Sequence, residues 1–159
     1  MSSPSGADGG RFVLVPASYV YLLRDGISGQ EVLLQKRQHT GYMDGHWAAA
    51  AAGHVERGET ALAAARREAA EEIGITEVAL SFVTSMQRTR HDLAIDERVD
   101  FFFTARTWSG EPRILEPTKC SELRWCSLAA LPDPVVPHER AVLVSLRDHT
   151  TSPYRTFGF

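Results

Sequence analysis

Three glutamates, Glu68, Glu71 and Glu72, crowd the alanine-rich stretch GHVERGETALAAARREAAEEIGI from Gly53 to Ile75. With about 100° of rotation per residue, a helix through this stretch gathers the carboxylates onto roughly a quarter to a third of its circumference. Leu62, Ala65, Ala69 and Ile73 then form the adjoining apolar stripe. Like charges three and four positions apart repel by a few tenths of a kcal/mol per exposed pair, and acidic groups in a last helical turn also oppose the macrodipole. A divalent cation relieves that repulsion, because hard Mg²⁺ or Mn²⁺ prefers carboxylate oxygens and can be shared with phosphate groups. A solvated acidic helix face is the competing reading of REAAEE by itself.

The residues around the cluster favour the metal. Gly53 and Gly58 bracket a tight turn with Glu59 at its mouth, so turn and helix make one ligand-bearing unit. Arg67, directly before Glu68 and four residues before Glu71, suits the orientation of carboxylates better than contact with a metal.

Gly53, five residues, Glu59, seven residues and then Arg67-Glu68-Ala69-Ala70-Glu71-Glu72-Ile73-Gly74-Ile75 resembles the loop-helix-loop signature of the Nudix hydrolase family, with every charged and glycine position filled. Two positions depart from the family pattern. Ala69 stands where a larger aliphatic side chain is usual, which implies closer packing. Ala50, Ala51 and Ala52 precede Gly53 where many relatives carry a proline-glycine-glycine run.

The resemblance implies an α/β/α sandwich with a central mixed β-sheet, and Mg²⁺-dependent hydrolysis, with Mn²⁺ able to substitute, of a nucleoside diphosphate linked to another group. Glu68 and Glu72, four apart on one face, are expected to be direct metal ligands, and Glu71 a further ligand or the base that activates water. The Gly53 carbonyl is an additional ligand by resemblance. The catalytic candidates are Glu71, Glu116 and Arg67, the last in an orienting role. Glu116 enters because LEPTKCSELRW resembles the loop of nucleoside-triphosphate-cleaving relatives whose carboxylate approaches the metals from the opposite side; Glu97 is held in reserve. Glu59, Gly58 and Gly74 are structural, Glu59 and Arg67 tying loop to helix. Glu56 can reach a metal or remain solvated.

For substrate binding, Arg37 at the end of a strand is a candidate for phosphate contacts, ahead of Lys36, Arg88 and Arg90. Trp47 and Tyr42 are candidates to stack a nucleobase, as is Phe102, although aromatic residues in strands more often pack in a core. The six histidines show no ligand spacing and receive no catalytic role.

The elements that must position these residues follow from the pattern. Phe12–Asp25 and Gln30–Arg37 read as strands joined across the turn DGISG, and His39 to His46 as a glycine-punctuated loop. Trp47 to Val55 reads as a buried strand. Thr60 is an N-cap, Thr60 to Ile73 a helix, and Gly74 its left-handed cap. Val78–Thr89, Arg98–Trp108 and Glu122–Leu128 are strand-like, and a last helix starts after Pro137.

Composition frames the result. The 159 residues suffice for one cored domain, expected over residues 11–159 behind a flexible tail of residues 1–10. Hydrophobic residues at 43% and charged residues at 23% match ordinary globular proteins. A net charge of −3 argues against a nucleic-acid duplex as partner and leaves a small nucleotide. Cys120 and Cys126 lack metal-ligand spacing and fit free thiols in a cytoplasmic setting; no apolar run reaches bilayer length, so no membrane partner is expected. A homodimer is left open. The favoured activity is cleavage of an oxidised or noncanonical nucleoside triphosphate to monophosphate and pyrophosphate. Cleavage of ADP-ribose or a nucleotide sugar, and nonenzymatic nucleotide binding, are the alternatives.

Overall fold

The computed structural model describes residues 10–159, so the tail expected over residues 1–10 falls, but for Gly10, outside the described residues. Its organising element is the long strand β1 (Val15–Gly26), which two sheets share. Residues Ala17 to Val20 pair antiparallel with β4 (Ala51–His54), and Val15 to Leu22 pair parallel with β6 (Arg98–Ala105). The far end, from Leu23 to Gly26, turns into β2 (Gly29–Arg37) through a tight hairpin. Beyond β6 lie β5 (Leu80–Arg88), antiparallel, and β8 (Tyr154–Phe157), parallel to β5. On the other wing, β2 pairs with both β3 (Trp47–Ala49) and β7 (Cys120–Ser127).

Side chains alternate across a strand, so β1 contributes to two cores at once. Tyr19, Tyr21 and Leu23 pack with Met86, Phe102, Val142 and Leu143 beneath helix α2 (Pro137–Arg147). Val20 and Leu22 point the other way and pack with Ala65, Ala69, Ile73 and Phe103 beneath helix α1 (Ala61–Ile73). The result is the expected α/β/α sandwich around a mixed sheet. Burial on both faces explains why β1 reads as a nearly continuous apolar run.

Helix α1 starts and stops where local chemistry dictates. Thr60 Oγ1 accepts from the Ala63 amide at 3.0 Å, and Gly74 adopts φ 70°, ψ 27°, its amide reaching Ala70 O. Its sheet-facing side is Ala64, Ala65, Ala69 and Ile73, small enough to bring the helix close to the strands. Leu62, expected in that stripe, is 37% exposed. The buried face is centred on Ala65 and Ala69, and Leu62 falls at its margin.

Two further expectations change in detail. The segment Trp47 to Val55 is two short strands broken at Ala50, because it first pairs with β2 and then transfers to β1 as those strands diverge. The strand β8 was not legible, since YRTF is short and half polar, and its pairing with β5 is set by the docking of the chain after α2.

Candidate active site

The loop-helix unit converges on Arg67. Its Nε donates to Glu59 Oε2 at 2.8 Å and its Nη2 to Glu59 Oε1 at 3.0 Å, a bidentate clasp. The same guanidinium donates to Glu68 Oε1 at 2.5 Å and to the His54 carbonyl at 3.0 Å. Hydrogen bonds from Arg67 and from the Glu56 amide hold Glu59 down at about 2. One cation thus fixes the turn, the helix and the end of β4 relative to each other, as expected of Glu59 and Arg67.

Glu68 and Glu72 point inward from α1. Glu72 Oε2 accepts from the Ala52 amide at 2.6 Å. A side chain on Gly53 would overlap the Glu68 carboxyl, with a Cβ only 2.4 Å from Cδ, so glycine is what admits the carboxylate against the β4 backbone. Burial, and then the charges of Glu68 and Glu116, push the Glu72 carboxyl up to about 9 even though the Ala52 amide opposes this. Glu68 is also raised, by burial first, with Glu71 and Glu116 adding to the effect and Arg67 working against it. Glu116 therefore stands within electrostatic reach of both, and the Leu115 amide donates to Glu72 O, anchoring its loop to the end of α1.

Among the described residues no three acidic, histidine or cysteine side chains form a finished cation site. Mg²⁺ sites characteristically use one or two carboxylates, with waters and substrate phosphates completing the octahedron. A half-buried Glu68–Glu72 pair, each carboxyl raised first by burial and then by the other acidic groups, fits a divalent cation because the ion favours the ionised forms of both. Glu71 differs from both, being 56% exposed with only Arg67 at 3.5 Å. Glu56 is exposed and serves Glu59 through its amide. Glu97 accepts from Thr89 Oγ1 at 2.6 Å and so joins the ends of β5 and β6.

A cavity of about 810 Å³ runs from this acidic end into the space between the sheet and the start of α2. Glu72, Gly53 and Ala52 line one end; Arg37, Tyr42, Arg90 and Lys119 line its walls. Arg37 is held by the Tyr42 carbonyl at 2.8 Å and Thr40 Oγ1 at 3.0 Å, and the guanidiniums of Arg37 and Arg90 lie 5.4 and 5.8 Å from the Tyr42 ring centroid. Trp47 is not brought to the cavity. Its indole is buried in the core on the α2 side, with Arg124 over the ring at 4.4 Å, and Phe102 is likewise core. Burial of two large apolar rings outweighs their use as exposed platforms.

The inner end holds Arg88, one of the lesser phosphate candidates, among residues that received no role from the sequence. Tyr19, Arg88, Arg98, His138 and Glu139 reach the cavity, with Asp100 fully buried on β6. Glu139 Oε1 accepts from Tyr21 Oη at 2.8 Å and from the Ala49 amide at 2.7 Å. Burial pushes this carboxyl up to about 7. His138 is driven well below the ordinary imidazole range, by burial and then by Arg88, Arg98 and Arg37, which keeps it neutral. A charged residue inside RVDFFFTA was the available signal; that Arg88 pairs with Arg98, two residues before Asp100, is visible only in the strand register.

The NUDIX domain model matches residues 13–146. An isopentenyl-diphosphate Delta-isomerase of Jannaschia sp. (strain CCS1) is 31% identical over 116 residues, and the match covers 70% of this chain and 63% of that protein. The chain thus spans less than two thirds of the length of this relative. The crystal structure of a MutT NUDIX hydrolase from Burkholderia pseudomallei superposes with a TM-score of 0.70 at 28% identity, covering 83% of this chain and 97% of the other. The NUDIX domain of Shewanella oneidensis NrtR, complexed with ADP ribose, has a TM-score of 0.73 at 17% identity over 93% of each chain, a likeness of fold alone. No helix among the described residues is long and apolar enough to cross a membrane.

Proposed function

Because the chain belongs to the NUDIX domain family, we propose that it is a divalent-metal-dependent pyrophosphohydrolase acting on a nucleoside diphosphate linked to another group. The preferred substrate class is a nucleoside triphosphate, oxidised or noncanonical bases included, cleaved to monophosphate and pyrophosphate. The observation that carries the reading is the inward Glu68–Glu72 pair seated against Gly53, with Glu116 within electrostatic reach of both.

Glu68, Glu72 and the Gly53 carbonyl are the groups that would hold Mg²⁺, or Mn²⁺ in its place. When bound, the ion supplies neutralisation of the diphosphate oxygens and orients an attacking water. Glu71 and Glu116 are the carboxylates available to take that water's proton. Glu71 has the greater freedom, because its exposed carboxylate is only loosely engaged by Arg67. Arg67 acts by position, holding Glu59, Glu68 and the His54 carbonyl in one geometry. Arg37 and Tyr42, both on the cavity wall, are the substrate contacts proposed from this chain.

A product-resolved screen of nucleotides with Mg²⁺ tests the reading. Release of monophosphate and pyrophosphate from a triphosphate supports the preferred class, whereas two monophosphates identify a nucleotide-sugar or ADP-ribose substrate. Isopentenyl diphosphate belongs in the panel because of the isomerase match. Its isomerisation with the diphosphate intact, and no anhydride cleavage anywhere in the panel, would overturn the proposal. Nucleotide binding without turnover, unaffected by Glu71→Gln, would instead identify a binding module.

A further inference from the structure

The inner end of the cavity sets the guanidiniums of Arg37, Arg88 and Arg98 against two buried carboxylates, Asp100 and Glu139, and burial pushes the second up to about 7. Arg88 Nε donates to Asp100 Oδ2, and Arg88 Nη2 reaches Tyr19 Oη at 3.3 Å. Arg98 Nη2 lies 3.8 Å from Asp100 Oδ1, too far for a hydrogen bond. Two guanidiniums therefore share one carboxylate. His138 adds no negative charge: its Nε2 lies 3.2 Å from Tyr19 Oη and its ring is neutral. Arg37 looks into the same space with two neutral oxygen partners.

A second observation concerns unmet hydrogen-bonding capacity. Arg98 Nε and Asp100 Oδ1 are buried without a partner. A buried, unsatisfied guanidinium N–H costs on the order of 1–3 kcal/mol or more, and such a group in a native structure calls for an explanation, a bound water or ion among them. Arg98 lines the cavity with its side chain 14% exposed while this Nε is sealed, so a ligand would meet the guanidinium at its terminal nitrogens.

The site has a defined place relative to the acidic end. His54 pairs with Ala17 on β1, whose other neighbour is Asp100 on β6, two residues beyond Arg98. Two strand spacings of roughly 4.8 Å put the Gly53–His54 backbone about 10 Å from Asp100 and Phe101, and the offset along β6 makes it roughly 12–14 Å from the Arg98 backbone, from which the long side chain reaches into the cavity. That separation suits one ligand with two anionic groups divided by a pentose-sized spacer.

We infer that Arg98, supported by the Arg88–Asp100 pair, forms an anion subsite for the part of the substrate remote from the scissile diphosphate. Preferred substrates then carry a second anionic group, such as a phosphate monoester, on the sugar. This deepens the hydrolase reading above and rests on it for the substrate assignment.

Two measurements separate the claims. In chelator, with no divalent cation present, calorimetry with inorganic phosphate reads the subsite without any turnover. Wild-type protein should take up phosphate, Arg98→Gln should bind it at least about tenfold more weakly, Arg98→Lys should recover part of the loss, and Glu72→Gln should bind no more weakly than wild type. Thermal melting verifies that the variants are folded. No uptake by wild type, or equal uptake by folded Arg98→Gln, would overturn the subsite. The second measurement compares kcat/KM for a nucleoside diphosphate ester with and without a 2′-phosphate. Preference for the phosphorylated ester, lost in Arg98→Gln, supports the substrate claim. Arg98-dependent phosphate uptake without that preference would reassign the subsite to free phosphate and overturn it. If neither ester is cleaved, the hydrolase reading fails while the phosphate titration still reports on Arg98.

Discussion

The two ends of the cavity solve opposite electrostatic problems. At one end α1 brings together carboxylates whose ionised forms disfavour one another, and at the other β5 and β6 bring together guanidiniums around a single aspartate. The acidic end is local in sequence, since a turn and a helix within 23 residues, Gly53 to Ile75, supply nearly all of it. The basic end is assembled from β1, β5, β6 and α2 and has no motif. Chemistry resident in one helix can be recognised by spacing, whereas chemistry built across a sheet depends on register.

The sharpest way to break the contrast is at the acidic end. Glu72→Gln or Glu68→Gln should lower Mg²⁺-dependent kcat by about a hundredfold or more with the fold retained, because each removes a metal-holding carboxylate. Steady-state kinetics on the substrate found by the screen, beside circular dichroism, check this; unchanged turnover in either variant removes the metal assignment. Next comes Arg67→Ala, which should cost roughly 10- to 100-fold in activity, since groups that orient metal ligands act at that scale. It should also lower stability, because Glu59 and Glu68 lose their shared cation, and urea unfolding measures the drop.

Protonation offers a gentler probe of each end. Glu139 is raised to about 7 in the folded protein, so the folded state holds its proton more tightly than the unfolded state. Its contribution therefore favours folding below the ordinary carboxylate range and is lost as pH rises from about 4.5 to 7, by roughly 3 kcal/mol at most. Urea unfolding of wild type and Glu139→Gln at pH 5 and pH 7.5 should show the wild type losing stability relative to the variant at the higher pH; parallel pH dependence would contradict this. The smallest effect concerns metal removal. Near neutral pH without divalent ions, Glu72→Gln should melt at or slightly above the wild-type temperature. Mg²⁺ should raise the wild-type melting temperature by a few degrees and leave the variant unmoved, as expected when an ion binds only the native state.

Much of the fold was legible for the same reason as the acidic end. Thr60 and Gly74 mark α1 by caps that act over one turn, and the central strands announce themselves by alternation or by long apolar runs. The candidate residues Gly53, Glu59, Arg67, Glu68 and Glu72 come together in the structure, and Glu116 approaches from its loop. Trp47 was ambiguous because a strand residue faces either the core or a cleft, and the pairing of β3 with β2 decides which. His138 and Glu139 were invisible, because their place depends on Trp47 O accepting from the Val136 amide, a contact between segments 89 residues apart that carries α2 onto β3.

The cavity's walls include Ala17, Ala48, Ala49 and Ala52, so much of its room exists because methyl groups stand where longer side chains would reach across. Ala17, Ala48 and Ala49 are also buried, so a larger side chain at any of them must take its room from the chamber or strain the strands that carry it. Small changes at these positions would let the same scaffold trade larger ligands for smaller ones.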